Sequence, residues 1–209
     1  MIKKTLSSTL ATTTGALVFS MAVVAGMSAN AATSDCIADS AINSTALSNT
    51  GASGPFSVST KTVSRSSANG FGGGTIHYPT NAGGCGLVGG IAVVPGYVSY
   101  EDSIKWWGPR LASWGFVVIT INTKTIYDQP DSRATQLSAA LDHIISDSTV
   151  GSMVNRNRLG AIGWSMGGGG ALKLATSRSA VRAIIPQAPY YEGSYGTMNT
   201  PAFMIGCEW

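Results

Sequence analysis

Short apolar runs alternate with amphipathic stretches along most of this chain. Phe56–Val63 alternates apolar and polar positions, and Thr75–Tyr78 resumes the same pattern after a turn containing Asn69-Gly70, which predicts a β-hairpin. Ile91–Val94 and Phe116–Ile121 are continuous apolar runs, as in strands buried on both faces. Between them, Ile104, Trp107 and Leu111 recur at helical spacing, and Gly115 ends a helix predicted over 102–114. Ser132–Ser146 carries Leu137, Leu141, Ile144 and Ile145 on one helical face. A strand over Arg158–Ile162, a helix over Gly168–Ala175, and strands over Val181–Ile185 and Phe203–Gly206 complete the alternation. An antiparallel start followed by βαβα predicts an α/β fold, a mostly parallel sheet with helices on both faces. There is no internal repeat and no linker.

The first 31 residues stand apart. Basic Lys3 and Lys4 precede an apolar stretch from Ala16 to Gly26, then an A-x-A match at Ala29–Ala31. This is the form of an export signal peptide, cleaved near Ala31, and the apolar stretch is too short for a spanning helix. The expected organisation is a leader at 1–31 and one domain at 32–209, secreted, monomeric and without a stable membrane anchor. A short helix is expected around Asp39–Leu47. Removing the leader lowers the formal charge from +3 to about +1 and leaves no basic cluster, so nucleic acid is not an expected partner. Three cysteines follow the leader: Cys36, Cys85 and Cys207. An odd number leaves one thiol over; Cys36–Cys85 is a tentative pair, with the partner of Cys207 beyond the chain end. Gly84–Gly89 formally fits G-x-G-x-x-G, but it precedes a strand instead of following one, so it is read as a loop and no dinucleotide is expected. Neither a cofactor nor a metal is expected.

The candidate chemistry lies at Gly163-Trp164-Ser165-Met166-Gly167, a G-x-S-x-G sequence between the predicted strand at 158–162 and the helix at 168–175. In that strand–turn–helix setting the serine is a candidate nucleophile at a tight elbow. The helix N-terminus aims N–H groups at negative charge developing beside it. The backbone N–H of Met166 is one oxyanion donor; the loop after Ile91–Val94 supplies the other, which makes Tyr97 its candidate. A serine hydroxyl needs a base, and the base an orienting acid, in the order Ser, acid, His. Both histidines, His77 and His143, precede Ser165. His77 is read as a polar strand residue and His143 as a half-exposed helix residue. The acids after Ser165 are Glu192, in a loop, and Glu208, near where the acid belongs, but the sequence stops at Trp209. The expectation is a fragment lacking the last strand, the His loop and the closing helix. Loss of the base costs about 10⁶ in kcat, so the fragment is expected to be nearly inert. An exposed apolar sheet edge is expected as well.

Several stretches together resemble one family. They are Tyr78–Asn81, Val94-Pro95-Gly96-Tyr97, Ser103–Ser113, Gly115–Thr120, Asp128-Gln129-Pro130, Ser132-Arg133, Gly163–Gly170 and Pro186-Gln187-Ala188-Pro189. They are similar to the bacterial cutinase-like polyester hydrolases, a group that includes poly(ethylene terephthalate) hydrolases and secreted triacylglycerol lipases. The resemblance implies an α/β-hydrolase fold and ester hydrolysis through an acyl-enzyme on Ser165. It implies an oxyanion hole from Tyr97 and Met166, with Trp164 and Tyr190 flanking the acyl cleft. The family commonly has Trp where Tyr190 stands, so that wall is altered here. In these relatives Cys-Glu-Asn-Asp follows the strand that here gives Cys207-Glu208, and Trp209 departs from that pattern. The same resemblance implies that Cys207 pairs with a Cys near the catalytic His. The stretch between the strands at 181–185 and 203–206 is too short for a long lid, so a shallow, open cleft suited to bulky esters is expected. Two alternatives share these residues: a secreted α/β-hydrolase-like binding module without catalysis, and a serine peptidase.

Overall fold

In a computed structural model, the described residues are 53–80, 82, 87–191 and 193–207. The leader, the helix expected at 39–47, Cys36, Cys85, Glu192, Glu208 and Trp209 lie outside them.

Among the described residues six strands form one sheet: β1 (Val58–Val63), β2 (Gly74–Pro79), β3 (Val88–Val94), β4 (Val117–Ile121), β5 (Val154–Trp164) and β6 (Val181–Gln187). Their spatial order is β1-β2-β4-β3-β5-β6. β1, β2 and β4 pair antiparallel, giving the predicted hairpin, whereas β4, β3, β5 and β6 run parallel. This is the mostly parallel sheet of the α/β-hydrolase fold.

Alternation along the strands sends side chains to two cores. Val117, Ile119 and Ile121 of β4 join Leu137, Leu141 and Ile144 of α2 (Pro130–Ser146) and Leu172 and Leu174 of α3 (Met166–Ser177). Val118 points the other way, with Val93 and Ile162, toward Ile104 and Ala112. Each aliphatic side chain buried this way stabilises the fold by roughly 1.5–3 kcal/mol. No helix among the described residues is long and apolar enough to cross a membrane.

Three elements differ from expectation. The helix expected over 102–114 is a 3₁₀ turn at Glu101–Ser103 and then a short α1 at Trp107–Ala112. Pro109 has no N–H to continue an α-helical ladder, and the preceding turns close instead with Ile104 N–H to Glu101 C=O and Gly108 N–H to Lys105 C=O. Of the stretch read as a loop at 84–89, Val88 and Gly89 already belong to β3. The strand expected at 203–206 is two parallel bridges beside β6, Ile184 with Ala202 and Gln187 with Ile205. Phe203 is 69% exposed and Met204 55%.

Candidate active site

The parallel pairing of β3 with β5 sets Val94 opposite Gly163, so the loop leaving β3 and the turn leaving β5 emerge side by side. Crevices at the carboxyl ends of parallel strands are where open α/β sheets hold their sites. Ser165 stands in that turn with φ 53° and ψ −119°, a left-handed conformation unusual for a residue bearing a Cβ. Such a conformation costs about 1–3 kcal/mol and persists only where the surroundings impose it. Here the Ser165 N–H donates to the Gln187 carbonyl (2.8 Å), and the Ser165 carbonyl accepts from Gly169 N–H (3.1 Å) and Tyr190 N–H (2.9 Å). Three backbone hydrogen bonds, one to the end of β6 and one to the segment following it, lock the elbow. At Gly163 a Cβ would collide with the Gly167 carbonyl, which explains the glycine before the serine.

Ser165 is the N-cap of α3, and its side chain makes no capping bond. The first N–H groups of a helix lack intrahelical acceptors, so Met166 N–H is presented at the elbow. The β3 loop lies against the same point: a Cβ on Gly96 would come within 2.9 Å of the Trp164 ring and 3.2 Å of Ser165 Cβ. Gly96 thus packs against the elbow, and Tyr97 follows it in the same loop. Trp164, Tyr97 and Tyr190 are 40%, 44% and 43% exposed. Tyr127 meets Tyr97 edge-on, with ring centroids 5.9 Å apart.

Neither histidine is placed for Ser165. His143 lies on α2, edge-on to Phe71. His77, read from the sequence as an ordinary polar strand residue, is instead only 3% exposed. Its Nε2 sits 3.4 Å from Thr120 Oγ1, whose proton goes to Glu101 Oε1 at 2.6 Å. Burial, reinforced by the charge of Lys105, pushes the imidazole from 6.5 down to about 4.

Sequence reasoning missed what holds the β3 loop in place. Arg133 on α2 is completely buried and donates from Nε to Asp128 C=O (2.8 Å), from Nη1 to Pro95 C=O (2.9 Å) and from Nη2 to Ile126 C=O (3.1 Å). Charge-assisted bonds of this kind are worth roughly 1.5–3 kcal/mol each, which offsets the cost of burying the cation. The signal was present: Arg133 precedes Leu137 and Leu141 at four-residue steps, a charge on the apolar face. Asp128 does not pair with it; its carboxylate accepts from Thr125 N–H and Gln136 Nε2. Burial raises the Asp128 carboxyl, but those bonds outweigh it and hold the group below the usual range. Cys207 is an exposed free thiol among the described residues.

The family model described as PET hydrolase-like matches residues 12–209. Lipase 1 of Moraxella sp. (strain TA144) is 62% identical over 229 aligned residues, covering all of this chain and 72% of that protein. Cutinase 1 of Thermobifida cellulosilytica is 51% identical over 159 residues, covering 75% of this chain and 60% of its own length. The bis(hydroxyethyl) terephthalate hydrolase of Streptomyces coelicolor is 47% identical over 156 residues, covering 74% of this chain and 50% of that enzyme. The chain thus spans between half and about three-quarters of the length of these relatives.

Proposed function

The chain belongs to the PET hydrolase-like family, and from that premise we propose that the full-length protein is a secreted serine ester hydrolase of the lipase and cutinase type. Ser165 Oγ attacks the ester carbonyl and the alcohol leaves, giving an acyl-enzyme that water then hydrolyses. The carbonyl oxygen, negative in the tetrahedral intermediate, is received by the backbone N–H groups of Met166 and Tyr97; each such donor is typically worth about 10²–10³ in rate. Trp164 and Tyr190 flank the acyl group in an open cleft, which suits lipid or polyester chains. The observation that carries this is the positive-φ Ser165 elbow with Gly96 packed against it.

His77 and His143 are held elsewhere, so neither serves as the general base of Ser165. Residues 1–31 act as the export leader, and the remainder forms one monomeric α/β-hydrolase domain whose Cys207 finds its partner outside the chain. The test is to purify the full-length protein and measure p-nitrophenyl butyrate hydrolysis beside Ser165→Ala, with tributyrin, cutin and amorphous polyester film as further substrates. Loss of about 10⁶ in kcat is expected in the variant. Equal rates in the two proteins would end the Ser165 reading, and no hydrolysis by the wild type would leave a non-catalytic binding module. Faster cleavage of peptides than of esters would make the protein a peptidase.

A further inference from the structure

The loop that carries Tyr97 is gripped on both sides by groups outside it. On the N-terminal side, the Pro95 carbonyl accepts Arg133 Nη1–H. On the C-terminal side, Val98 has φ 51°, another left-handed non-glycine, and its N–H donates to the Ile126 carbonyl at 2.8 Å. That same carbonyl accepts Arg133 Nη2–H, and Arg133 Nε–H reaches Asp128 C=O in the same β4–α2 segment. One planar guanidinium thus spans both loops, and Gly96 and Tyr97 lie between the two anchored residues. The fork is rigid and its donors diverge in one plane, which a lysine cannot reproduce. Asp128 acts on it across space without an ion pair, and its three hydrogen bonds among the described residues go to loop carbonyls.

We propose that Arg133 is a positioning residue for the oxyanion hole, setting the direction of the Tyr97 N–H by clasping the backbone on either side of it. This rests on the ester-hydrolase assignment of Ser165 and Tyr97. A ground-state ester carbonyl is planar, whereas the intermediate moves its oxygen toward the donors. Loosening the clasp therefore weakens binding of the tetrahedral species more than binding of substrate. The effect appears in kcat and spares KM.

The experiment uses the full-length protein with Arg133→Lys, Arg133→Met and, as a control on the exposed side of the same helix, Thr135→Ala. It measures kcat and KM for p-nitrophenyl butyrate, the inhibition constant of butylboronic acid, which forms a tetrahedral adduct on serine, and the melting curve. Arg133→Met is expected to lower kcat about 10²-fold, Arg133→Lys about 10-fold, with KM within about threefold and boronate affinity falling in parallel with kcat/KM. Thr135→Ala should match wild type. Unchanged kcat in folded Arg133 variants would overturn the proposal, as would kcat losses with undiminished boronate affinity. Failure of both variants to fold at the assay temperature would overturn it too, by making Arg133 a residue of fold stability first. Residual wild-type activity in Ser165→Ala would instead sink the underlying assignment, so the two failures are distinguishable.

Discussion

Acidification should unfold this protein partly through one side chain, His77. Thr120 has a single hydroxyl proton, and Glu101 takes it at 2.6 Å, so the contact between Thr120 Oγ1 and His77 Nε2 requires the imidazole to donate from Nε2. The neutral ring then leaves Nδ1 bare, and Nδ1 is buried with no hydrogen-bond partner among the described residues. Protonation would place an N–H there with nothing to receive it, in a site where burial and Lys105 already oppose positive charge. The folded-state pKa, about 4, lies below the unfolded value of 6.5. Between these values the unfolded chain binds more protons than the folded one, so stability is full above pH 6.5 and falls as pH drops toward 4. The difference corresponds to about 3 kcal/mol in total, of which roughly 2.5 kcal/mol is lost between pH 7 and pH 4.5. Urea denaturation of wild type and His77→Gln at pH 7 and pH 4.5 isolates this contribution, because other titrating groups such as His143 and Asp147 cancel in the double difference. Wild type should lose about 2–3 kcal/mol more than the variant over that interval. Equal losses would refute the reasoning, and a larger loss in the variant would reverse its sign.

Three other outcomes follow from named contacts. Ser165→Gly should be more stable than Ser165→Ala by about 1 kcal/mol in chemical denaturation, since glycine relieves the left-handed strain at a modest cost in unfolded-state entropy. Gly96→Ala places a Cβ against Trp164 and Ser165; it should cost about 1–3 kcal/mol by thermal melt and reduce the esterase kcat of the full-length protein at least about tenfold. Lys61 reaches from β1 to Asp147 at 2.7 Å, where the carboxylate side chain is only 6% exposed; Lys61→Met should cost about 1–2 kcal/mol at pH 7, with the penalty shrinking in acid as the Asp147 carboxylate, held below its ordinary range by Lys61, becomes protonated.

Much of this architecture was legible because it follows from local periodicity. The apolar runs at 91–94 and 116–121 could only be strands buried on two faces, and the elbow declared itself by glycines flanking Ser165 between a strand and a helix. The loop after β3 was legible as the elbow's neighbour because it follows a parallel strand, and β3 does lie beside β5. What escaped depends on pairs distant in sequence. Arg133 and Pro95 are 38 residues apart, and no local pattern says which carbonyls a buried guanidinium will meet. His77 looked like any polar strand residue because its burial comes from α1, whose Gly108 backbone presses on the ring. Where Pro109 breaks the helical ladder, side-chain periodicity continued through the turns and concealed the break.

The segment at 201–205 runs beside β6, with Phe203 N–H on the Ile184 carbonyl, Ile205 N–H on the Pro186 carbonyl, and Ala188 N–H on the Ile205 carbonyl at 2.6 Å. Ala188 begins the stretch that carries Tyr190, and Tyr190 N–H is in turn bonded to Ser165. The 201–205 segment, the stretch that carries Tyr190, and Ser165 are therefore joined by one continuous set of backbone bonds. Displacing the 201–205 segment would therefore pull, through Gln187 and Tyr190, on the backbone that sets Ser165 itself.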